Sequence, residues 1–309
     1  MKLPPFEYLR ASSAAEAVSV LSADEDSKVL AGGQSLLPLM ALRLAHPTVL
    51  VDIAALDLAG VEVVDGPSHI DASSCGGPVP KGGKSIRLGA MVRQSVLESE
   101  PVVAETVPLL AAAARYVGHP ATRNLGTLGG SLAHADPAAE LPAVAVALGA
   151  VAVVVGPAGP RHLACSLLAE GYFTTSLAPD EILTEICFPA AGPRHGAAWC
   201  EWSPRVGDFA EAGVGVAVDL DGDGAITAIV AAACSVAPVP LDLGTALADA
   251  GVVGATSLPD PLLRAAARAA ESAASGSPGD KAELTGLLAA RAVARAFQGA
   301  RKPIAEVQT

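Results

Sequence analysis

Aromatic residues, clustered cations, paired cysteines and long apolar runs are all scarce in this chain, and each shortage closes off a class of function. With two Trp, three Tyr and five Phe among 309 residues that are 51% hydrophobic, the core must be built from Ala, Val and Leu. That length and content suffice for a substantial core and for two or three subdomains. Lys and Arg form no cluster and the formal net charge is −12. With an isoelectric point near 4.9, the chain offers no surface for neutralising nucleic-acid phosphates. The five cysteines, Cys75, Cys165, Cys187, Cys200 and Cys234, show no C-x-x-C or other ligand spacing. No metal or iron–sulfur centre is expected within the chain, and unpaired thiols without an apolar signal core behind Met1 fit a reducing compartment, the cytoplasm. Mean hydropathy is +0.45, yet the run from Leu141 to Val155 is interrupted by Pro142 and Gly149 and falls short of the ~20 apolar residues that cross a bilayer. It reads as a buried helix passing into a buried strand, and no transmembrane segment is expected. A G-x-G-x-x-G turn with an acid ~20 residues later is also missing, which argues against a simple nicotinamide dehydrogenase.

What stands out instead is a pair of glycine-bearing stretches roughly ninety residues apart, Ala31-Gly32-Gly33-Gln34-Ser35-Leu36 and Asn124-Leu125-Gly126-Thr127-Leu128-Gly129-Gly130-Ser131. Each sets small residues beside a hydroxyl where backbone N–H groups can converge on an anion, and two such loops face to face would clamp a dinucleotide pyrophosphate without a metal. Because Val29-Leu30-Ala31 is a short apolar run, Gly32-Gly33 also reads as an ordinary strand-to-helix turn. The density of Gly126, Gly129 and Gly130 has no such explanation from packing alone.

Along the chain, a helix over residues 14–22, a strand over 28–31, a helix over 36–44 and a β-rich run over 47–53 form a small β-α-β-α-β unit, the first domain, residues 1–58. A second, α+β domain covers 59–177. It begins with a hairpin of strands 61–64 and 85–88 around a Gly- and Pro-rich loop tip, Cys75 to Lys84, and continues with helices over 92–97 and 107–117. Gly83-Lys84-Ser85 imitates the end of a phosphate-binding P-loop, but Pro78 stands where the first glycine belongs and a strand follows. Asp136-Pro137 reads as a cap and first residue of a helix running to about Leu148. The third domain, 178–309, carries strands over 199–202, 210–220 and 225–236 and two alanine-rich helices over 261–275 and 280–298. Asp219 to Gly224 resembles the opening of a calcium loop, yet Val230 stands at the twelfth position, so a hairpin turn is expected.

The run Ala31 to Ile53, the run Arg123 to Ser131 with Asp136-Pro137 and Glu140-Leu141-Pro142 behind it, and Arg205-Val206-Gly207-Asp208-Phe209-Ala210 together resemble the FAD-binding medium subunit of molybdenum hydroxylases, a family that includes xanthine dehydrogenase and aerobic carbon monoxide dehydrogenase. The resemblance spans nearly the full length, in order and spacing. It implies an α+β chain: a two-subdomain FAD-binding fold of the p-cresol methylhydroxylase type, followed by a three-stranded antiparallel sheet with a helical bundle. It implies a pyrophosphate between the loops Ala31, Gly32, Gly33, Gln34, Ser35 and Thr127, Leu128, Gly129, Gly130, Ser131, with Leu36 and Leu128 as apolar surface and Arg123 and Asn124 at the mouth of the second loop. Asp136 and Glu140 either cap a helix or accept from ribose hydroxyls. Trp199 either shields a flavin face or is an ordinary core residue. Leu183, in Asp180-Glu181-Ile182-Leu183, matches a cofactor-lining aliphatic position, and Arg205 with Asp208 reads as a local ion pair. The chain departs from the family in a longer loop over 65–85 and in lacking a Tyr-Arg pair before its last helix.

The function implied is electron exit from a three-component hydroxylase. A large subunit with molybdopterin oxidises substrate, a small subunit with two 2Fe-2S clusters relays electrons, and FAD in this chain passes them to an external acceptor; two such heterotrimers pair as a heterohexamer. Flavin suits the junction between one- and two-electron chemistry. No catalytic acid, base or nucleophile is expected here, and His119 and His134 read as structural or solvent-facing. The other readings are a stand-alone FAD-dependent oxidase, for which aromatic content is low, and a cofactor-free assembly module, against which the intact glycine loops argue.

Overall fold

The structure is a computed structural model that describes residues 2–65 and 83–301. Residues 75–82 of the expected loop tip lie outside them, while Lys84, expected in the tip, belongs to a strand. Contacts divide the chain into two compact units: Met1–Leu97 with His119–Asp136 and Gly149–Pro189, and Glu98–Gly118 with Pro137–Leu148 and Ala190–Thr309.

In the first unit, strands β1 (Glu7–Arg10), β2 (Lys28–Leu30) and β3 (Val49–Asp52) form a parallel sheet in the order β1-β3-β2. The helix Ala14–Ala23 joins β1 to β2. Ser13 Oγ accepts from the Glu16 N–H at 3.1 Å, satisfying one of the first turn's free donors, while the Glu16 carboxylate reaches back to accept from the Ser12 N–H and hydroxyl. Ala17, Val18 and Leu21 of that helix close over Val51 and Ile53. The next helix runs only Leu36–Ala41, short of the expected Leu44, because Arg43 turns into the left-handed region at φ 62°.

A five-stranded antiparallel sheet follows in the order β4-β5-β10-β6-β7, built from β4 (Val61–Asp65), β5 (Lys84–Gly89), β6 (Val151–Gly156), β7 (Gly159–Ala164) and β10 (Ile182–Pro189), with a small hairpin of β8 (Ala169–Gly171) and β9 (Thr174–Thr175) beside it. Lys84 and Ser85 open strand β5, not a helix, so the P-loop imitation is only that. The run from Leu141 resolves into a buried helix, Glu140–Ala147, and then strand β6.

The second unit is a sheet of β11 (His195–Trp202), β12 (Ala212–Leu220), β13 (Ile226–Cys234) and the two-residue β14 (Leu241–Asp242), so a short fourth strand joins the expected three. One face meets the helix Lys281–Ala300 through Val214, Val216, Val218, Ala292, Val293 and Ala296, and the helix Asp260–Ala273 packs on that helix. The helices Pro108–Ala114 and Glu140–Ala147 also pack on this sheet, and Leu109 lies beside the Trp199 ring. The expected helix over 107–117 is shorter, opening with Pro108 at its first position. At the β12–β13 hairpin, Asp221 Oδ1 accepts from the N–H groups of Asp223 and Ala225, which makes the turn an Asx turn. Asp136 does not cap the following helix: that helix starts at Glu140 with extended Ala139 at its cap. The Pro137 carbonyl is taken by the Ser235 N–H at 2.6 Å instead of serving as a first helical acceptor.

Candidate functional site

The two glycine stretches meet in the first unit. Strand β2 ends at Leu30, the chain crosses Gly32 and Gly33, the latter at φ +69°, and the helix from Leu36 begins. A Cβ on Gly32 would stand 2.3 Å from the Leu125 carbonyl oxygen and 2.9 Å from the Gly126 α-carbon. Only a residue without a side chain permits backbone to meet backbone this closely. Ala31 likewise faces Gly130, whose added Cβ would lie 3.6 Å from that of Ala31.

The loops differ in what their N–H groups do. The second is not an open loop as expected: the helix Pro120–Leu125 ends at Gly126 and a new helix, Leu128–His134, begins with Thr127 as its cap, so Gly126 donates to Thr122, Leu128 to Val92, Gly129 to Ala90, Gly130 to the capping Thr127 hydroxyl and Ser131 to the Thr127 carbonyl. Its amides mostly anchor the loop, and Gly129 sits so close to Ala90 that a Cβ would come within 2.5 Å of the Ala90 Cβ. In the first loop, the N–H groups of Gly32, Gly33, Gln34 and Ser35 meet no acceptor among the described residues, while the Gln34 amide folds back onto the Gly32 carbonyl. A run of such donors, partly exposed on a turn with one positive φ, is a concavity suited to phosphate oxygens. These residues fit a pyrophosphate on the first loop, with the second as its wall.

The other expected site residues fall in two places. Arg123 is buried and Asn124 exposed in the helix Pro120–Leu125, Leu128 is fully buried and Leu36 half-buried. Leu183 is buried on β10 opposite Val154, and Asp136 is half-buried. All of these belong to the first unit, whereas Glu140 and Trp199 belong to the second. There the Trp199 ring lies across Gly213 and Gly215 of β12, 3% exposed, and its indole N–H donates to Glu201 Oε2 at 3.0 Å. Glu201 and buried Glu140 both lie near the Cys234 thiol and raise its pKa further, after burial has already pushed it well up. Burial also pushes the Glu201 carboxyl up to about 7 against the pull of the Trp199 hydrogen bond.

Two histidines flank the second stretch. His134 is lowered from its ordinary range chiefly by burial, and its ring lies 5.1 Å from that of Phe173. His119 occupies the cap position of the helix Pro120–Leu125 without a capping bond. Arg205 and Asp208 are joined by a turn, the Asp208 N–H donating to the Arg205 carbonyl. Sequence motifs missed Ala90 to Gln94, the segment on which the second loop is hung. No local signal marks it, since the pairing joins residues more than thirty positions apart.

The profile of the FAD binding domain in molybdopterin dehydrogenase matches residues 4–74 and 78–191, more than half of the chain. The chain is 41% identical over 217 residues to the nicotine 6-hydroxylase medium subunit of Paenarthrobacter nicotinovorans, covering 70% of each. It is 32% identical over 299 residues to the carbon monoxide dehydrogenase medium chain of Afipia carboxidovorans, covering 94% of this chain and 96% of the relative. Among solved structures, carbon monoxide dehydrogenase from Hydrogenophaga pseudoflava, in a form lacking the Mo-pyranopterin moiety of its cofactor, superposes with a TM-score of 0.83 at 32% identity, over 96% of this chain and 99% of that one. Profile, sequence and fold agree with the glycine-loop geometry, and the chain belongs to the FAD-binding medium subunits of the molybdenum hydroxylase family.

Proposed function

We propose that this chain is the electron-transfer subunit of a multi-subunit molybdenum hydroxylase. It takes electrons from the 2Fe-2S clusters of a small partner subunit, fed by a molybdopterin-bearing large subunit, and delivers them to an external acceptor. The observation that carries this reading is the junction of Gly32 with Leu125 and Gly126, beside four first-loop N–H groups that meet no acceptor among the described residues. Bound FAD supplies the ability to accept electrons singly and release them in pairs.

The chain's own residues hold and shape. Gly32, Gly33, Gln34 and Ser35 present donors to the pyrophosphate, and charge-assisted hydrogen bonds of this kind are the strong ones. Ala31, Thr127, Leu128, Gly129, Gly130 and Ser131, with Arg123 and Asn124 before them, form the wall. Leu36 and Leu183 contribute apolar surface, and Asp136 is an acceptor for a ribose hydroxyl. Trp199, 3% exposed, held by Glu201 and seated on Gly213 and Gly215, is assigned to the core of the second unit. No side chain is assigned a proton-transfer step.

We assign the complex as a dimer of heterotrimers. A cytoplasmic location is part of the same proposal; Cys165, Cys187, Cys200 and Cys234 are all free and buried, which suits a reducing compartment. Among the described residues no helix is long and apolar enough to cross a membrane.

The test is to purify the chain alone and with co-expressed partner subunits, and to record absorbance and metal content. Flavin in the isolated chain, with iron and molybdenum only in the complex, is the expected result. Flavin without any metal-bearing partner supports a stand-alone oxidase, and a colourless chain in both preparations refutes the FAD reading.

A further inference from the structure

The two glycine loops are held in place by a third segment. Ala90 to Gln94 lies antiparallel to Gly126 to Gly129: the Gly129 N–H donates to Ala90, the Leu128 N–H to Val92 and the Gln94 N–H to Gly126, with Arg93 opposite Thr127. The Arg93 guanidinium donates to the Leu125 carbonyl, the same oxygen against which Gly32 of the first loop is packed. Gln94, 6% exposed, fills the space beside Gly126, where an added Cβ would come within 2.4 Å of its Oε1. That Oε1 is buried and finds no donor among the described residues. Gly126 thus touches the first loop through Gly32 and the third segment through Gln94.

We propose that Arg93 and Gln94 are positioning residues of the dinucleotide site, setting where the Leu125–Gly126 peptide stands against Gly32 and so how the first loop presents its N–H groups. The inference rests on the FAD reading above. The two residues act differently. Arg93 works through its donor: a guanidinium is a rigid fork that cannot lose its charge, so it fixes the Leu125 carbonyl and brings a cation to the junction of two loops built for an anion. Gln94 works through its volume, because an amide oxygen without a donor contributes shape and not a bond. An unbranched side chain of similar size serves equally well.

The experiment compares the full chain with R93M, R93K, Q94M and Q94A. Each is stripped of flavin, titrated with FAD by quenching of flavin fluorescence, melted, and followed by amide hydrogen exchange at residues 32–36 and 125–128. R93M is expected to weaken FAD binding about tenfold, the loss of one charged-group hydrogen bond. Exchange in both loops should rise while the melting temperature of the flavin-free chain holds, and R93K should restore part of the affinity. Q94M is expected to match the parent chain and Q94A to follow R93M. An R93M chain with parental affinity and parental loop exchange overturns the proposal. So does a loss of affinity that merely tracks a fall in melting temperature and is not relieved by R93K. A parent chain that takes up no FAD refutes the functional reading instead, and the exchange comparison then decides the positioning role by itself.

Discussion

Replacing Gly32 with alanine probes the loop junction most directly. The new Cβ would stand 2.3 Å from the Leu125 carbonyl oxygen and 2.9 Å from the Gly126 α-carbon. Ordinary contact begins nearer 3.5 Å, so the loops must part by roughly an ångström. Both obstructing atoms are backbone, and no rotamer change can relieve the clash. Forced overpacking of this sort costs about 1–3 kcal/mol. Part of that strain is relaxed by moving the first loop outward, and the displaced donors are those of Gly32, Gly33, Gln34 and Ser35. Misplacing one hydrogen bond to a charged oxygen loses about 1.5–3 kcal/mol, equivalent to roughly a 10- to 100-fold weaker FAD complex. The assay is a flavin fluorescence titration of the stripped chain, with a thermal melt to separate affinity from folding. Gly60→Ala is the control, because a Cβ there meets nothing within 4 Å. A Gly32→Ala chain that binds FAD as tightly as the Gly60→Ala chain would falsify the claim that the loop contact organises the site.

Three further outcomes are expected. Glu201 has its carboxyl pushed up to about 7 by burial, so the folded chain retains a proton that the unfolded chain has already released. Stability therefore falls as pH rises from about 4.5 to about 7, by on the order of 1–2 kcal/mol after allowance for partial exposure. Glu201→Gln should flatten that part of the pH profile in chemical denaturation, and an unchanged slope assigns the dependence to another group. Burial raises the Cys165 thiol to about 12 and also raises Cys187, Cys200 and Cys234; in a Cys75→Ser chain, a disulfide reagent at pH 8 should react slowly until denaturant is added, and a fast native thiol contradicts this. Ser13→Ala removes the cap from the helix Ala14–Ala23 and should lower stability by about 1 kcal/mol without touching FAD affinity, as a paired melt and titration would show.

How much of the site was legible depended on whether its cause was local. The two glycine stretches, the turn closed by Asp221 and the strand beginning at Lys84 were readable because turn chemistry and β-rich runs act over a few residues. The helix expected from Pro137 was not, since Asp-Pro is a strong start signal that the distant Ser235 N–H overrules by claiming the Pro137 carbonyl. Trp199 stood between a core role and a cofactor role. Its flat seat on Gly213 and Gly215 and its bond to Glu201 come from strand register, which aligns Trp199 with Gly215.

By itself the sequence determined the small-residue core, many of the strands and helices, the placement of the glycine stretches and, through its co-ordered motifs, the FAD-binding family. Tertiary structure alone decided which amides of those loops are engaged and which are not. Ala90, Val92, Arg93 and Gln94 anchor the second stretch across more than thirty residues of chain, whereas the N–H groups of Gly32 to Ser35 meet no acceptor among the described residues. A backbone N–H is identical at every position, so composition cannot say where its bond will go; only the fold, by bringing one segment against another, assigns it.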